Sequence, residues 1–146
     1  MELTGKTCAI EPFSTEQAVV RTQSNLSPIL GAFHQELNKQ LSKDGLLIGA
    51  APAGLGACDF TIEGQFVRID EGNRAARYFL TFLAGAATVE VEGRLFHGEY
   101  PVMDLYAKGV QSIGIFGGSS ERMLQTCAAG AAGQIAGQII EALANR

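Results

Sequence analysis

Residues 63 to 95 read EGQFVRIDEGNRAARYFLTFLAGAATVEVEGRL, and this stretch decides the fold. At both of its ends apolar and polar side chains alternate, which is the pattern of half-buried β-strands. Between the ends lie a cluster of charged residues and then an apolar segment that stops at Gly85. We therefore predict two strands joined by a long excursion, with the remainder of the chain packed around them.

The first of these strands is predicted to span Asp59–Asp70 and to contain a bulge. From Phe60 to Phe66 the apolar side chains share one face, after which Val67 and Ile69 become the apolar positions. One extra residue in a strand turns every following side chain to the other face of the sheet. We expect that residue near Phe66 and Val67.

Two more strands follow the excursion. Ala87–Phe96 alternates cleanly between apolar and polar side chains, and Met103–Ala107 repeats the pattern. Such alternation is typical of antiparallel strands with one covered face and one wetter face. Together with Asp59–Asp70 these segments are predicted to form an antiparallel meander.

The N-terminal part predicts a strand, a helix and a second strand. Thr7–Phe13 is a short apolar run and indicates a strand, whereas Ser14–Leu26 is polar without a clear period and is interpreted as a loop. Ser27 is the expected cap of a helix that ends at Gly45. Leu46–Ala50 then reads as a strand, and a strand–helix–strand order favours a parallel pair.

The last segment, Ser119–Arg146, has an apolar stripe at helical spacing and predicts a second helix. Gly130, Gly133 and Gly137 interrupt it, and we expect these small residues to let a neighbouring element approach closely. A length of 146 residues fits one domain, 1–146. The predicted fold is α/β (α+β), with a mixed sheet of about five strands in the order β-α-β-β-β-β-α and two long helices on one face.

Composition and cysteine spacing limit the classes of function. The net charge is −4 and the sequence has no basic stripe, so nucleic acid is not an expected partner. Cys8, Cys58 and Cys127 lie far apart without a Cys/His cluster, and no structural zinc site or other cofactor is expected. Cys8 and Cys58 lie near predicted strand ends and could pair, although three buried thiols are the preferred interpretation.

The excursion allows two interpretations. A short helix capped by Asn73 could place Phe79 and Phe82 on its apolar side, or Tyr78–Leu83 could extend the strands as a hairpin. In either form the segment could cover the core. It could also be an exposed apolar patch flanked by Arg74 and Arg77, suited to a partner or a membrane surface.

The charge cluster before the apolar segment contains two adjacent acids, Asp70 and Glu71. Neighbouring residues of a strand point to opposite faces, which argues against a paired-carboxylate catalytic site. We interpret the cluster as ion pairs that fix the turn. A site for an anion or a peptide terminus, formed with Arg68, Arg74 and Arg77, is the alternative.

The same stretch resembles a bacterial family of envelope lipoproteins, the domain of unknown function 4410. Its members show a G-x-F-x-x-I-D-x-G-[NS]-R-x-x-R core, then a Gly/Ala-rich apolar segment and a V-x-V-x-G-x-[LV] strand. In this sequence the matching residues are Gly64, Phe66, Ile69, Asp70, Gly72, Asn73, Arg74, Arg77, Gly85, Val89, Val91, Gly93 and Leu95. The resemblance implies a periplasmic or outer-membrane-associated location in a bacterium and no established activity. No signal sequence is evident, and Gly5-Lys6-Thr7-Cys8 departs from a lipobox because Lys6 is charged.

From these observations we expect a non-catalytic envelope binding module with an accessory role in the assembly or transport of envelope components. A protein partner or a membrane surface would contact segment 73–85. The candidate contact residues are Asp70, Asn73, Arg74, Arg77, Tyr78, Phe79 and Phe82. The alternatives are an enzyme that acts on a small anionic substrate at the Arg68–Arg77 cluster and a structural homo-oligomer subunit.

Overall fold

The computed structural model describes residues 3–49, 58–72, 86–111 and 120–145. Within these ranges it has six strands and two helices, the mixed α+β arrangement that was predicted. The elements are β1 (Thr7–Ile10), β2 (Val19–Arg21), α1 (Leu26–Lys43), β3 (Leu47–Gly49), β4 (Phe60–Asp70), β5 (Ala87–His97), β6 (Tyr100–Gln111) and α2 (Ser120–Ala144).

One sheet contains all of the described strands, in the order β3-β1-β4-β5-β6, and β2 also pairs with β4. Strands β4, β5 and β6 form the predicted antiparallel meander. The strand–helix–strand prediction is confirmed as well, because β1 and β3 pair in parallel. Strand β6 is longer than predicted and runs to Gln111.

The interpretation of Ser14–Leu26 as a loop was wrong, because Val19–Arg21 forms β2. These three residues pair in parallel with Arg68–Asp70, while β1 pairs in parallel with Phe60–Ile62 further back along β4. Between them Ser14 bridges to Gln65. The chain from β1 to β2 is therefore one interrupted strand beside β4. All three residues of β2 are exposed, so the sequence shows no alternation of buried and exposed positions there. Strand β2 therefore depends on its pairing with β4 and not on a local sequence pattern.

The predicted bulge in β4 is confirmed. Phe66 pairs with Val91 and Arg68 pairs with Glu90, which leaves Val67 as the extra residue. Phe66 and Ile69 are both fully buried as a result. The bulge thus keeps apolar side chains in the core along the whole strand.

Helix α1 begins at Leu26, which precedes the predicted cap, Ser27. Its cap is Asn25, whose Oδ1 accepts a hydrogen bond from the Ser27 backbone N–H at 3.1 Å, so Ser27 is inside the helix. The helix ends before Gly45, which has a φ of +95°, a conformation that glycine adopts without strain. Its buried side chains are Ile29, Phe33, Leu37 and Leu41.

Helix α2 packs against α1, β5 and β6 and buries the predicted apolar stripe. The expected close packing at its glycines was wrong. A Cβ atom built on Gly130, Gly133 or Gly137 would have no neighbour within 4 Å among the described residues. These positions lie on the side of the helix away from the core, where side-chain size is not restricted. None of the described helices is long and apolar enough to cross a membrane.

The core between the helices and the sheet includes an aromatic cluster held by a histidine. Phe13 contacts Phe33 and Phe66, with ring centroids 4.8 Å and 6.2 Å away. His34 Nε2 accepts a hydrogen bond from the Phe13 backbone N–H at 3.1 Å, and its Nδ1 lies 2.9 Å from the Leu30 carbonyl oxygen. The ring therefore fixes the segment between β1 and β2 onto α1.

The three cysteines are free thiols in this structure, so the alternative of a Cys8–Cys58 disulfide is not observed. Cys8 and Cys127 are buried, whereas Cys58 is only partly buried. Burial, with a smaller contribution from Cys58, raises the pKa of the Cys8 thiol to about 12. Burial likewise raises the pKa of Cys127 to about 11, and its Sγ donates to the Ala87 carbonyl at 3.4 Å.

Candidate functional site

The described part of the predicted site is the end of β4. Asp70, the last residue of the strand, accepts a hydrogen bond at Oδ1 from the Gly72 backbone N–H at 2.8 Å. Its Oδ2 lies 3.4 Å from an Arg68 guanidinium nitrogen. Gly72 has a φ of +83°, which favours glycine at this turn. The Asp70 carboxylate therefore shapes the start of the excursion.

The neighbouring acid, Glu71, points to different partners. Its Oε2 accepts a hydrogen bond from the Thr22 hydroxyl at 2.8 Å, and its backbone N–H donates to the Arg21 carbonyl at 3.1 Å. The two adjacent carboxylates are thus held apart, as strand geometry predicts. Both are engaged in fixing the chain where β4 ends and β2 pairs with it.

The other six candidate contact residues lie outside the described ranges. They are Asn73, Arg74, Arg77, Tyr78, Phe79 and Phe82. Their contact role, and that of Asp70, stays a prediction. The choice between helix and hairpin for this segment, and the gathering of arginines at the Arg68–Arg77 cluster, stay predictions for the same reason.

A second candidate surface is the face of the β4–β6 meander opposite the core. Its side chains form rows across the three strands, because alternate residues of paired strands lie side by side. The three central rows, read from β4 to β6, are Glu63–Arg94–Asp104, Gln65–Glu92–Tyr106 and Arg68–Glu90–Lys108. The side chains of these three rows are all polar, so this part of the face is suited to water or to a polar ligand.

Hydrogen bonds connect the side chains within and between these rows. Gln65 Nε2 donates to Glu92 Oε1 at 2.6 Å, and the Tyr106 hydroxyl donates to the Glu90 carboxylate. This bond to Glu90 is the main reason why the pKa of Tyr106 is raised above its ordinary value. In the first row Arg94 Nε donates to Asp104 Oδ1 at 3.0 Å.

An open groove of about 660 Å³ runs over the first two rows. It is lined by their side chains, by Phe96 and by Gly64 and Gly93, which face each other across β4 and β5. Electrostatic catalysis works best where water is excluded and dipoles are fixed. A shallow groove open to solvent offers hydrogen bonds to a ligand without that enclosure, which favours binding over catalysis.

No metal site is evident among the described residues, since they contain no group of three or more His, Cys, Asp or Glu side chains placed to hold an ion. The two histidines have other surroundings. His34 is bonded within the core, and His97 stacks against Phe60 with ring centroids 4.8 Å apart.

Sequence comparison places this architecture in a family. The model of the domain of unknown function 4410 matches residues 10–142, which is most of the chain. The chain belongs to this family. No curated protein matches the sequence. The resemblance carried by the Gly64–Leu95 residues is thereby confirmed, and the family description adds no activity to it.

Solved structures share the fold of this DUF4410 protein at low sequence identity. Protein XCC0632 from Xanthomonas campestris, of family DUF330, has a TM-score of 0.69 at 7% identity, with 99% of this chain and 88% of that chain covered. Hypothetical protein CT253 from Chlamydia trachomatis has a TM-score of 0.51 at 14% identity, with coverages of 96% and 94%. PelC from Paraburkholderia phytofirmans, a dodecamer, has 0.48 at 12%, with coverages of 98% and 89%. The likeness to XCC0632 and CT253 concerns the fold alone.

Several motif residues of the DUF4410 core have structural roles here. A Cβ on Gly64 would lie 2.4 Å from a Phe13 ring carbon, and one on Gly93 would lie 2.4 Å from the Glu63 carbonyl oxygen. Phe66 is fully buried beside Phe13. The glycines of the motif therefore allow the Phe13 ring to lie against the backbone of β4 and allow β4 and β5 to approach each other closely. The motif also provides the turn at Gly72.

Sequence reasoning did not identify the groove. The alternation in β5 and β6 indicated a wetter face, and that was the only signal available. The register that sets Glu63 beside Arg94, and Gln65 beside Glu92, arises between strands that are far apart in sequence.

Proposed function

We propose that this DUF4410 protein is a non-catalytic binding module of the bacterial cell envelope, with an accessory role in assembly or transport of envelope components. It engages its partner through segment 73–85, with Asp70 at the base. The observation that carries the proposal is the end of β4. There the carboxylates of Asp70 and Glu71 contact a turn N–H, an arginine and a threonine hydroxyl, which supports a role in fixing the turn over a role as catalytic acid or base.

The family resemblance supports the proposed envelope location. It is tested by fractionating cells of the source bacterium and probing the fractions with an antibody to this chain. Recovery with periplasmic or outer-membrane material supports the proposal. Recovery with cytoplasmic enzymes contradicts it.

The binding role is tested with the double variant Arg74→Glu/Phe82→Ser. Purified wild type and variant are compared in pull-downs from envelope extract and in flotation with vesicles of envelope lipids. We expect the variant to lose a protein partner or vesicle binding, because it reverses a charge and removes an aromatic contact. Glu36→Arg on the polar face of α1 is the matched control. Identical partner sets and identical flotation for wild type and double variant would refute the interface.

The structural homo-oligomer is the second reading of the same segment, with its apolar side chains buried against a second copy. Light scattering of wild type and Phe79→Asp separates it from binding to a different partner. A lower mass for the variant would support self-association through the segment. An unchanged mass would count against it.

A further inference from the structure

Strand β6 forms the long edge of the described sheet, and helix α2 covers part of that edge with side chains. An edge strand presents unpaired backbone N–H and C=O groups that can pair with another strand. The strands at the opposite side, β2 and β3, are each only three residues long, and short edges pair weakly. Strand β6 has 12 residues, so a short length does not limit its pairing with another strand.

Two glutamines of α2 occupy these backbone groups in the manner of a neighbouring strand. Gln134 accepts a hydrogen bond from the Lys108 N–H at 3.3 Å and donates to the Lys108 carbonyl at 3.0 Å. Gln138 accepts from the Tyr106 N–H at 3.3 Å and donates to the Tyr106 carbonyl at 2.6 Å. Gln134 and Gln138 are four residues apart and therefore lie on the same side of the helix. Tyr106 and Lys108 are two residues apart on the strand, so their backbone groups face the same edge and each meets one glutamine.

The outward side chains of β6 are complementary to themselves. If two copies of β6 pair antiparallel about Tyr106, each Asp104 lies opposite a Lys108. In this register the Tyr106 N–H and C=O groups bond to those of the other copy. The glutamines now occupy the Tyr106 and Lys108 backbone groups that this pairing requires.

We propose that Gln134 and Gln138 form an intramolecular clamp that closes a latent dimerisation edge, and that the occupant of the opened edge is β6 of a second copy of this chain. The helix amides satisfy the Tyr106 and Lys108 backbone and thereby compete with strand pairing. The clamp uses no residue of segment 73–85, so its success or failure does not depend on the proposed binding role.

The clamp is tested first by hydrogen exchange. In the wild type the Tyr106 and Lys108 amides exchange slowly, and in Gln134→Ala/Gln138→Ala at low protein concentration they exchange faster by about fivefold or more, the factor for a hydrogen bond of roughly 1 kcal/mol. Gln125→Ala is the matched control, because Gln125 bonds to Glu121 within the same helix. Equal exchange in wild type and double variant overturns the clamp.

The latent edge is tested by sedimentation over a dilution series. The double variant shows a concentration-dependent doubling of mass relative to the wild type, and the Asp104, Tyr106 and Lys108 amides become protected as the dimer forms. Adding Lys108→Asp places two carboxylates opposite each other and abolishes the dimer, and Asp104→Lys/Lys108→Asp restores it. A double variant that keeps the wild-type mass at every concentration overturns the proposed edge. A dimer that is indifferent to Lys108→Asp overturns the register.

Discussion

Thr61 is a buried residue whose hydroxyl makes no hydrogen bond among the described residues. It is fully buried on β4, and Oγ1 is the one buried side-chain polar atom of the described ranges without a hydrogen-bond partner. A buried hydroxyl without a partner loses its hydration without compensation, at a cost of about 1–3 kcal/mol. The position is therefore a place where a polar group weakens the protein.

We expect Thr61→Val to leave the free energy of unfolding unchanged or to raise it by up to about 1 kcal/mol, because valine has nearly the same shape and no hydroxyl. The same change at Thr7 has the opposite sign. Thr7 Oγ1 donates to Asp59 Oδ2 at 3.1 Å and accepts from the Asp59 N–H at 2.9 Å, so Thr7→Val lowers the free energy by about 1–2 kcal/mol. Urea unfolding of both variants decides the comparison. A large loss for Thr61→Val would reveal a partner for its hydroxyl.

Asp59 makes the free energy of unfolding depend on pH in the acidic range. The Thr7 backbone N–H donates to Asp59 Oδ2 at 2.9 Å, and this bond is the main reason why the pKa of Asp59 is lowered. A lowered folded-state pKa means that the unfolded chain binds the proton first as pH falls. The stabilisation is thus complete above the ordinary carboxyl range, roughly pH 4, and is lost as pH falls through the lowered pKa.

We expect Asp59→Asn to remove this part of the pH dependence, since asparagine does not titrate. Denaturant midpoints measured at neutral and acidic pH for wild type and variant test it. Glu16→Gln, on the exposed loop before β2, is the control and should keep the wild-type slope. If Asp59→Asn shows the same acid sensitivity as the wild type, the Thr7–Asp59 contact is not its source.

At the scale of the element, the start of α1 shows how a cap is chosen. Ser27 was the expected cap, yet the side chain of Asn25 accepts the hydrogen bond from the first turn, which the Ser27 N–H donates. Both residue types are good caps, so the local sequence alone does not separate them. The Thr22 hydroxyl donates a hydrogen bond to Glu71 and accepts one from the Ser24 backbone N–H. These two bonds turn the chain just before Asn25.

We expect Asn25→Ala to lower the free energy of unfolding by about 1 kcal/mol, because the Ser27 N–H loses its acceptor. Ser27→Ala should have a much smaller effect, since its side chain is not the cap. Thermal unfolding of the two variants measures the difference. Equal losses would contradict the assignment of Asn25 as the cap.

The glycines of β6 and α2 have opposite roles. A Cβ on Gly109 would lie 1.9 Å from the Cys127 carbonyl oxygen, so the strand and helix can approach only where this side chain is missing. Gly130 and Gly137 have open space around them. The glycines of a helix weaken it by about 1 kcal/mol relative to alanine when nothing requires their small size.

We therefore expect Gly109→Ala to destabilise the protein by roughly 2 kcal/mol or more, because backbone must move. Gly130→Ala and Gly137→Ala should each stabilise it by about 0.5–1 kcal/mol. Chemical denaturation of the three variants gives the values. Destabilisation by Gly130→Ala would mean that this face of α2 is covered in the assembled protein.

At the scale of the whole molecule, the buried thiols report on global unfolding. The pKa of Cys8 is raised to about 12 and that of Cys127 to about 11, both mainly by burial. Because the unfolded thiols ionise near roughly pH 8.5, the unfolded chain releases protons first, and stability falls as pH rises from there towards the raised values.

We expect a thiol reagent to label Cys58 rapidly in the native protein, while Cys8 and Cys127 react only when the domain opens. Mass spectrometry of labelled peptides over time measures this, and Cys8→Ala should reduce the loss of stability at alkaline pH. Rapid labelling of all three thiols under native conditions would contradict one cooperatively folded core.

The features that a local pattern encodes could be predicted from the amino-acid sequence. Alternation assigned the faces of β4 and β5, a change of parity located the bulge at Val67, and helical spacing identified the buried stripes of α1 and α2. Each of these depends on side chains within a few residues of one another, so the periods of strand and helix reveal them directly.

Features that depend on partners distant in sequence became visible in the folded chain. Val19–Arg21 is a strand because β4 is beside it, Gly64 is small because Phe13 lies on it, and Gln134 and Gln138 bond to β6 because α2 crosses that edge. The polar groove arises in the same way from the register of β4, β5 and β6. Hydrogen-bond pairing and close approach between remote segments leave no period in the chain, and for that reason they become visible only when the fold is complete.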